Sequence, residues 1–297
     1  MGAQLWGFPM KQFVLTTLNG LTLGALYFLV ASGFTLVFGL MRNVNLAHGA
    51  LYLLGAYVGW TVADRTEYWL LGVAAGFAAT ALLGLLFQVL IFRRMEGQDL
   101  RQTMVTIGIS IVLADLMLWF WGGETYQFTP PEAIDGSLAL PLTPNWRYPT
   151  YRIALLVAAA AIGVGLWLFL NRTRVGMMIR AGVDDRAMLA ASGINVQRVF
   201  AVTFMVGAGL AGFAGVVGGT ALSIAPGEDV RYLLASLIVV IVGGLGSISG
   251  AAVGALIIGL AEQYGLAYSP TYGAVYTFLI LVAALALRPQ GLMGRRA

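Results

Sequence analysis

The stretch Asn171-Arg172-Thr173-Arg174-Val175-Gly176-Met177-Met178-Ile179-Arg180-Ala181-Gly182-Val183-Asp184-Asp185-Arg186-Ala187-Met188-Leu189-Ala190-Ala191-Ser192-Gly193-Ile194-Asn195-Val196-Gln197-Arg198 decides how the rest of the chain is read. It is the longest polar interruption between apolar segments that carries a clear positive excess, its arginines facing only Asp184 and Asp185. Inside it, residues 184–192 read as a short helix. Asp184 suits the N-cap, because its carboxylate can accept an orphan backbone N–H. Asp185 then falls in the first turn, where the helix dipole favours negative charge. Gly193 ends the helix, since glycine takes the left-handed conformation without penalty. At about 1.5 Å per residue such a helix is roughly 12 Å long. That is too short to cross a bilayer and too short to be stable alone in water. It must lie against its own membrane domain or fit a partner's surface.

The flanks of this stretch are apolar on both sides. Hydrophobic residues make up 59% of the chain and charged residues 10%, against about 45–50% and 25% in soluble domains. The expected class is therefore an all-α polytopic membrane protein, with residues 1–297 forming one domain. Spans are expected at about 13–41, 46–63, 68–92, 103–121, 151–170 and 199–222. The first exceeds the roughly 30 Å hydrocarbon core and should tilt or bend. It follows Lys11, is too long for a signal-peptide core and lacks a small-residue cleavage site, so it is expected to remain as a span. Arg42-Asn43-Val44-Asn45 makes a polar turn. The Pro-rich loop 122–149 is not helical. Beyond 222 the pattern is less regular. Segments 233–242, 250–267 and 274–287 are apolar, and Gly243-Gly244-Leu245-Gly246-Ser247 breaks or bends the first. The total is eight or nine spans, with 233–249 a broken or re-entrant element buried in protein or lining a cavity.

Orientation follows from the arginines. If all nine segments cross, Arg42, Arg93, Arg94, Arg101, the arginines of 172–198 and those of 288–296 share one side. That side then holds 12 of 17 Lys and Arg residues, which makes it cytoplasmic. The loops 122–149 and 223–231 fall outside. Glycine and alanine recur at four-residue spacing, as in Gly246/Gly250/Gly254, Ala211/Gly215/Gly219, Gly20/Gly24 and Gly55/Gly59, which lets helices approach closely.

Chemical constellations are scarce. The chain has no Cys, one His and, in Lys11, one Lys that follows Met10. Disulfides, thiolate metal sites, His clusters and a P-loop are thereby excluded, so any ATP that drives its work is hydrolysed elsewhere. The charge of +4 reports loop orientation and does not imply nucleic acid. Gly108-Ile109-Ser110 has the form of an intramembrane serine nucleophile, but the sole imidazole, His48, lies upstream, opposite to the rhomboid order. Asp115 and Glu262 are the acids well inside spans, where a charge costs about 2.5–3.5 kcal/mol. Each either lines a polar pathway or bonds between helices, and Asp115 could equally sit near the outer interface. A self-sufficient secondary transporter or channel is the alternative class, and two isolated acids support it weakly.

The blocks Leu18-Asn19-Gly20-Leu21-Thr22-Leu23-Gly24-Ala25-Leu26-Tyr27, Phe38-Gly39-Leu40-Met41 and Asn45-Leu46-Ala47-His48-Gly49 resemble the start of the LivH-type permeases. These are the membrane subunits of branched-chain amino acid ABC importers. The resemblance continues through Arg174-Val175-Gly176-Met177-Met178-Ile179-Arg180-Ala181, Gly193-Ile194-Asn195-Val196 and Gly243-Gly244-Leu245-Gly246-Ser247-Ile248-Ser249-Gly250-Ala251. It closes with Arg288-Pro289-Gln290-Gly291-Leu292. Ser249, where many relatives have Pro, and Asn45-Leu46, where many have Asn-Phe, are mild departures. The resemblance implies a type II ABC importer-like permease bundle in the bacterial inner membrane. It also implies a second, LivM-like permease, two ATPase subunits that hold ATP and Mg, and a periplasmic binding protein. No cofactor belongs to this chain. Importers of urea or short amides share the scaffold.

The short helix then corresponds to the coupling helix that such permeases present to an ATPase, and Asp184, Asp185, Arg186, Met188, Leu189 and Ser192 are its coupling residues. His48 is either a gate contact or a packing group at the 43–45 turn. Glu124, Glu132, Asp135 and the Glu228-Asp229-Arg231 group either dock the binding protein or are simply solvated. Ser247, Ser249 and Glu262 are expected near the pathway or the permease–permease interface.

Overall fold

The computed structural model describes residues 4–5, 8–41, 44–139, 146–288 and 290–294. Its helices are α1 (Met10–Met41), α2 (His48–Thr66), α3 (Trp69–Leu90), α4 (Asp99–Trp121), α5 (Thr150–Arg172) and α6 (Arg174–Asp184). They continue with α7 (Arg186–Ala191), α8 (Val196–Ala221), α9 (Glu228–Gly243), α10 (Ile248–Tyr268) and α11 (Gly273–Leu287). Six of them (α1, α3, α4, α5, α8 and α10) are long and apolar enough to cross a membrane. The chain is a multi-pass, helical membrane protein, and the strands among the described residues are short pairs such as Ser137–Ala139 with Arg147–Pro149.

The apolar periods explain which helices are central. Along α1, residues 22–37 are buried on every side, as expected of a helix apolar all round and enclosed by others. Helix α8 is similar, with seventeen of its residues buried. By contrast α4 exposes Leu100, Met104, Ile111, Val112, Trp119 and Phe120, a composition suited to lipid. Asp115 is also exposed on α4, within two turns of its end at Trp121.

The expected spans match these helices to within a few residues, and the 122–149 loop carries no α-helix among its described residues. Pro141 and Pro144 in that loop, and Arg42 and Asn43 in the expected turn, lie outside the described residues. The turn leading into α2 reaches well back along α1. His48 Nε2 donates to the carbonyl of Val30 at 3.0 Å, about three turns from Met41. Asn45 Oδ1 accepts from Ala47 N at 3.1 Å, and Leu46 N donates to Thr106 Oγ1 at 3.1 Å. His48 is wholly buried, edge-on to Phe34. The Val30 bond ties α2 to α1 through Nε2, and Nδ1 is buried without a hydrogen-bond partner among the described residues.

The break at Gly243 is equally concrete. Helix α9 stops there, Gly244 and Gly246 take φ of +113° and +79°, and Ser247 Oγ caps α10 by accepting from Gly250 N at 3.0 Å. Such φ values belong to glycine. Leu292 N and Met293 N donate to the carbonyls of Val242 and Gly243, both at 2.9 Å, so the chain's last described residues satisfy the orphan carbonyls of α9.

Candidate functional site

Two constellations stand out, at opposite ends of α9. The first is an elbow built by α5, α6 and α7. Thr173 Oγ1 accepts from Gly176 N at 3.0 Å and caps α6. Gly176 lies so close to the Phe169 carbonyl that a Cβ there would overlap it, which permits the sharp bend from α5 into α6. Gly176, Ile179 and Gly182 form the buried stripe of α6, at the spacing of a surface helix. This helix is not among the elements expected from the sequence.

Helix α7 is shorter than residues 184–192, and its cap is one residue later than expected. Asp184 closes α6, while Asp185 Oδ1 accepts from Met188 N at 3.0 Å. The two acids compete for one role, and burial of Leu189 fixes the register. Leu189 is 4% exposed, packed with Leu36, Leu40, Ile179, Val199 and Phe200. Gly193, with φ of +79°, ends the turn as expected. Removing the cap with Asp185→Ala is expected to cost α7 about 1 kcal/mol, while Asp185→Asn keeps most of it. Faster amide hydrogen exchange at 186–192 in the alanine variant alone is the measurement that checks this.

The expected coupling residues therefore divide. Asp184, Asp185, Met188 and Ser192 are exposed, Met188 by 70%, whereas Leu189 faces its own bundle. Arg186 also turns inward. Its Nη2 donates to the Leu40 carbonyl at 2.6 Å, one of the orphan acceptors at the end of α1, and its guanidinium lies 5.0 Å from the Phe200 ring centre. Arg186 also borders a small crevice with Gln88, Phe92, Glu96, Gln102 and Gln197, where Gln197 donates to Glu96. The arginine-rich loops thus meet at one end of the bundle.

The second constellation lies where α9 begins. Glu228, Asp229 and Arg231 are not in a loop but in the first turn of α9, with Asp229 buried at 5% exposure. Glu228 and Asp229 suit the positive end of the helix dipole there. Arg231 sits 3.4 Å from Glu228 and 3.8 Å from Glu262 of α10. Tyr27 of α1 donates to Glu262 Oε2 at 2.6 Å. Tyr27 is about four turns from Met41, so the cluster is well along the bundle. Tyr232 packs edge-on against Tyr27 and 4.2 Å from Tyr52 between ring centres.

The structure thus joins Glu262 to Glu228 and Arg231, for which the sequence suggests different roles, and separates it from Ser247 and Ser249. Those serines lie at the opposite end of α10, about four turns away, with their hydroxyls 3.3 Å apart. Glu124, Glu132 and Asp135 are exposed on the loop between α4 and α5. Tyr27 and Tyr232 carry part of the cluster, and the sequence does not mark them as polar partners. An aromatic residue about four turns along an apolar span gives no sign of which acid it will meet.

Comparison with known proteins identifies the family. Residues 16–285 match the family described as branched-chain amino acid transport system, permease component. The high-affinity branched-chain amino acid transport system permease protein LivH of Escherichia coli K12 is 30% identical over 298 residues, covering 95% of this chain and 96% of the relative. BraD of Pseudomonas aeruginosa, a permease of the same description, is 30% identical over 291 residues, or 93% and 94% of the two chains. The ribose import permease protein RbsC of Escherichia coli K12 is 26% identical over 244 residues, covering 79% of this chain and 73% of the relative. No solved structure matches. With the match running from α1 into α11, the chain belongs to the family of permease components of branched-chain amino acid transport systems.

Proposed function

We propose that this chain is the membrane-spanning permease subunit of an ABC importer for branched-chain amino acids, resident in the bacterial inner membrane. A periplasmic binding protein delivers the solute, and ATP with Mg is hydrolysed on two partner ATPase subunits. A second, LivM-like permease completes the channel. Adding α2, α9 and α11 to the six long apolar helices gives nine crossings, the upper of the eight or nine expected for a type II importer-like bundle, with residues 1–297 as one permease domain.

The observation that carries this reading is the α6–α7 elbow. Its inner face is tied to the bundle by Leu189 and Arg186, while Met188, Ala187, Ala191 and Ser192 remain exposed around it. A six-residue helix capped at its start and stopped by Gly193 is too short to stand alone. Held in this way it can transmit a push from an ATPase surface to α1 through the Leu40 carbonyl. That is the work of a coupling helix, with Asp184, Asp185, Met188 and Ser192 as the contacts. Ser247 and Ser249 lie at the same arginine-rich end, where we place the interface with the second permease. The exposed Glu124, Glu132 and Asp135 are assigned to docking of the binding protein, an encounter that salt should weaken.

The test is co-purification with the partner subunits, followed by uptake in proteoliposomes. Leucine should enter only when binding protein, ATPases and ATP are all present. Uptake by this chain without ATPases would instead identify a self-sufficient transporter. Met188→Asp is expected to weaken ATPase co-purification about tenfold, equivalent to ~1.4 kcal/mol. The melting temperature of the isolated chain should not change, because Met188 is an exposed side chain.

A further inference from the structure

The ion pairs of the second constellation are loose. Charge-assisted N–H···O⁻ contacts close to about 2.7–2.9 Å, yet Arg231 stands 3.4 Å from Glu228 and 3.8 Å from Glu262. The guanidinium has donors to spare, being half exposed, while Glu228 and Glu262 keep 26% and 17% of their side-chain surface. Glu262, in contrast, is held firmly from behind. Tyr27, only 2% exposed, donates to its Oε2 and leaves Oε1 turned toward Arg231. One cation and two carboxylates meet beside exposed apolar side chains. Leu234, one turn from Arg231, and Leu266, one turn from Glu262, are 46% and 41% exposed.

We propose that Arg231, Glu262 and Tyr27 form a transit site for the zwitterionic head of an amino acid with an apolar side chain. The α-carboxylate pairs with Arg231, and the α-ammonium pairs with Glu262 and Glu228. The side chain lies over Leu234 and Leu266. Taking either charge out of water costs several kcal/mol unless it is paired, and the site supplies both counter-charges at the first turn of α9, about four turns from the Met41 end of α1. Between passages Arg231 and Glu262 partner each other, so the mostly buried Glu262 keeps a counter-charge. Their separation keeps that pairing weak enough to exchange. Glu228 leaves the group with an excess carboxylate, which favours entry of the ammonium. The site rests on the permease reading above.

The experiment uses the assembled transporter in proteoliposomes, with leucine as the probe. Arg231→Gln, Glu262→Gln and the double variant are each expected to lower leucine uptake at least tenfold, with partner subunits still co-purifying. Leu266→Cys, placed in this naturally cysteine-free chain, should react with a water-soluble maleimide. Leucine, and not ribose, should slow that reaction at least threefold. The site is overturned if the double variant transports within twofold of the unaltered protein, or if the reversed pair Arg231→Glu with Glu262→Arg restores full uptake, as a purely structural bridge would. It is equally overturned if the cysteine is unreactive or leucine does not protect it, a readout that holds even if the charge variants fail to assemble. An unaltered transporter that moves no amino acid would sink the permease reading itself, and the site with it.

Discussion

Leu189→Asp is expected to remove α7 from the bundle and to destabilise the isolated chain, before any ATPase is added. Leu189 is 4% exposed among Leu36, Leu40, Ile179, Val199 and Phe200. Truncating such a leucine costs about 2–5 kcal/mol through lost transfer energy and the cavity left behind. A carboxylate in its place is buried among apolar side chains, and Arg186, which borders the same cluster, is already engaged by the Leu40 carbonyl and the Phe200 ring, so the burial cost is added. The sum is on the order of 4 kcal/mol or more, large against any single contact. The measurement is thermal unfolding of the purified chain in detergent, with Met188→Asp as the paired comparison one residue away. Leu189→Asp should melt markedly lower and Met188→Asp should not, although both lie on the same six-residue helix. An unaltered melting temperature for Leu189→Asp, with ATPase binding lost, would show that the assigned faces of α7 are reversed.

That contrast marks where the sequence is legible and where it is not. Apolar character is a property of a window, so the long apolar segments fall within a few residues of α1, α3, α4, α5, α8 and α10. The elbow is harder. Helix α6 carries Arg174, Arg180 and Asp184 within its 11 residues and so looks like a polar loop, yet Ile179 is buried between Gly176 and Gly182 at helical spacing. That period is readable from Thr173-Arg174-Val175-Gly176 onward, with Thr173 as the cap signal. Asp184 and Asp185 both satisfy the local rule for an N-cap. Only the tertiary demand that Leu189 meet Leu40 chooses between them. The charged cluster is illegible for a different reason. Glu228 and Arg231 are near in sequence and could be paired by spacing, but Tyr27 and Glu262 reach them from other helices, one far upstream and one downstream. Nothing local encodes that meeting.

Gly212→Val is the second large expected effect, and it tests a close backbone crossing of three helices. Helices α2, α3 and α8 cross where glycine faces glycine. A Cβ on Gly76 would lie 2.7 Å from the Gly55 carbonyl, one on Gly55 would lie 2.8 Å from the Gly212 carbonyl, and one on Gly212 would lie 2.5 Å from the Gly76 carbonyl. Each of these three contacts is with a backbone carbonyl, which cannot rotate away as the Thr80 side chain beside Gly212 can. Real Cβ atoms essentially never approach closer than 3.0 Å, so the helices themselves must separate. Overpacking that flexible side chains absorb costs about 1–3 kcal/mol, and separating three helices should exceed that. Membrane helices lack a hydrophobic force to hold them together once contact is lost, because lipid is as apolar as leucine. The α2–α8 contact also holds the Tyr52 end of the tyrosine group beneath the charged cluster, since Gly215 lies against the Tyr52 backbone. Gly212→Val should therefore yield little folded monomer by size-exclusion chromatography, and its residual fraction should melt well below the unaltered protein. Gly108→Ala is the control of opposite sign. It is also a helical glycine, but a Cβ there meets nothing within 4 Å, so replacing it should be neutral or stabilising by up to ~1 kcal/mol. Equal melting temperatures for the two variants would mean that α2, α3 and α8 do not cross through these glycines.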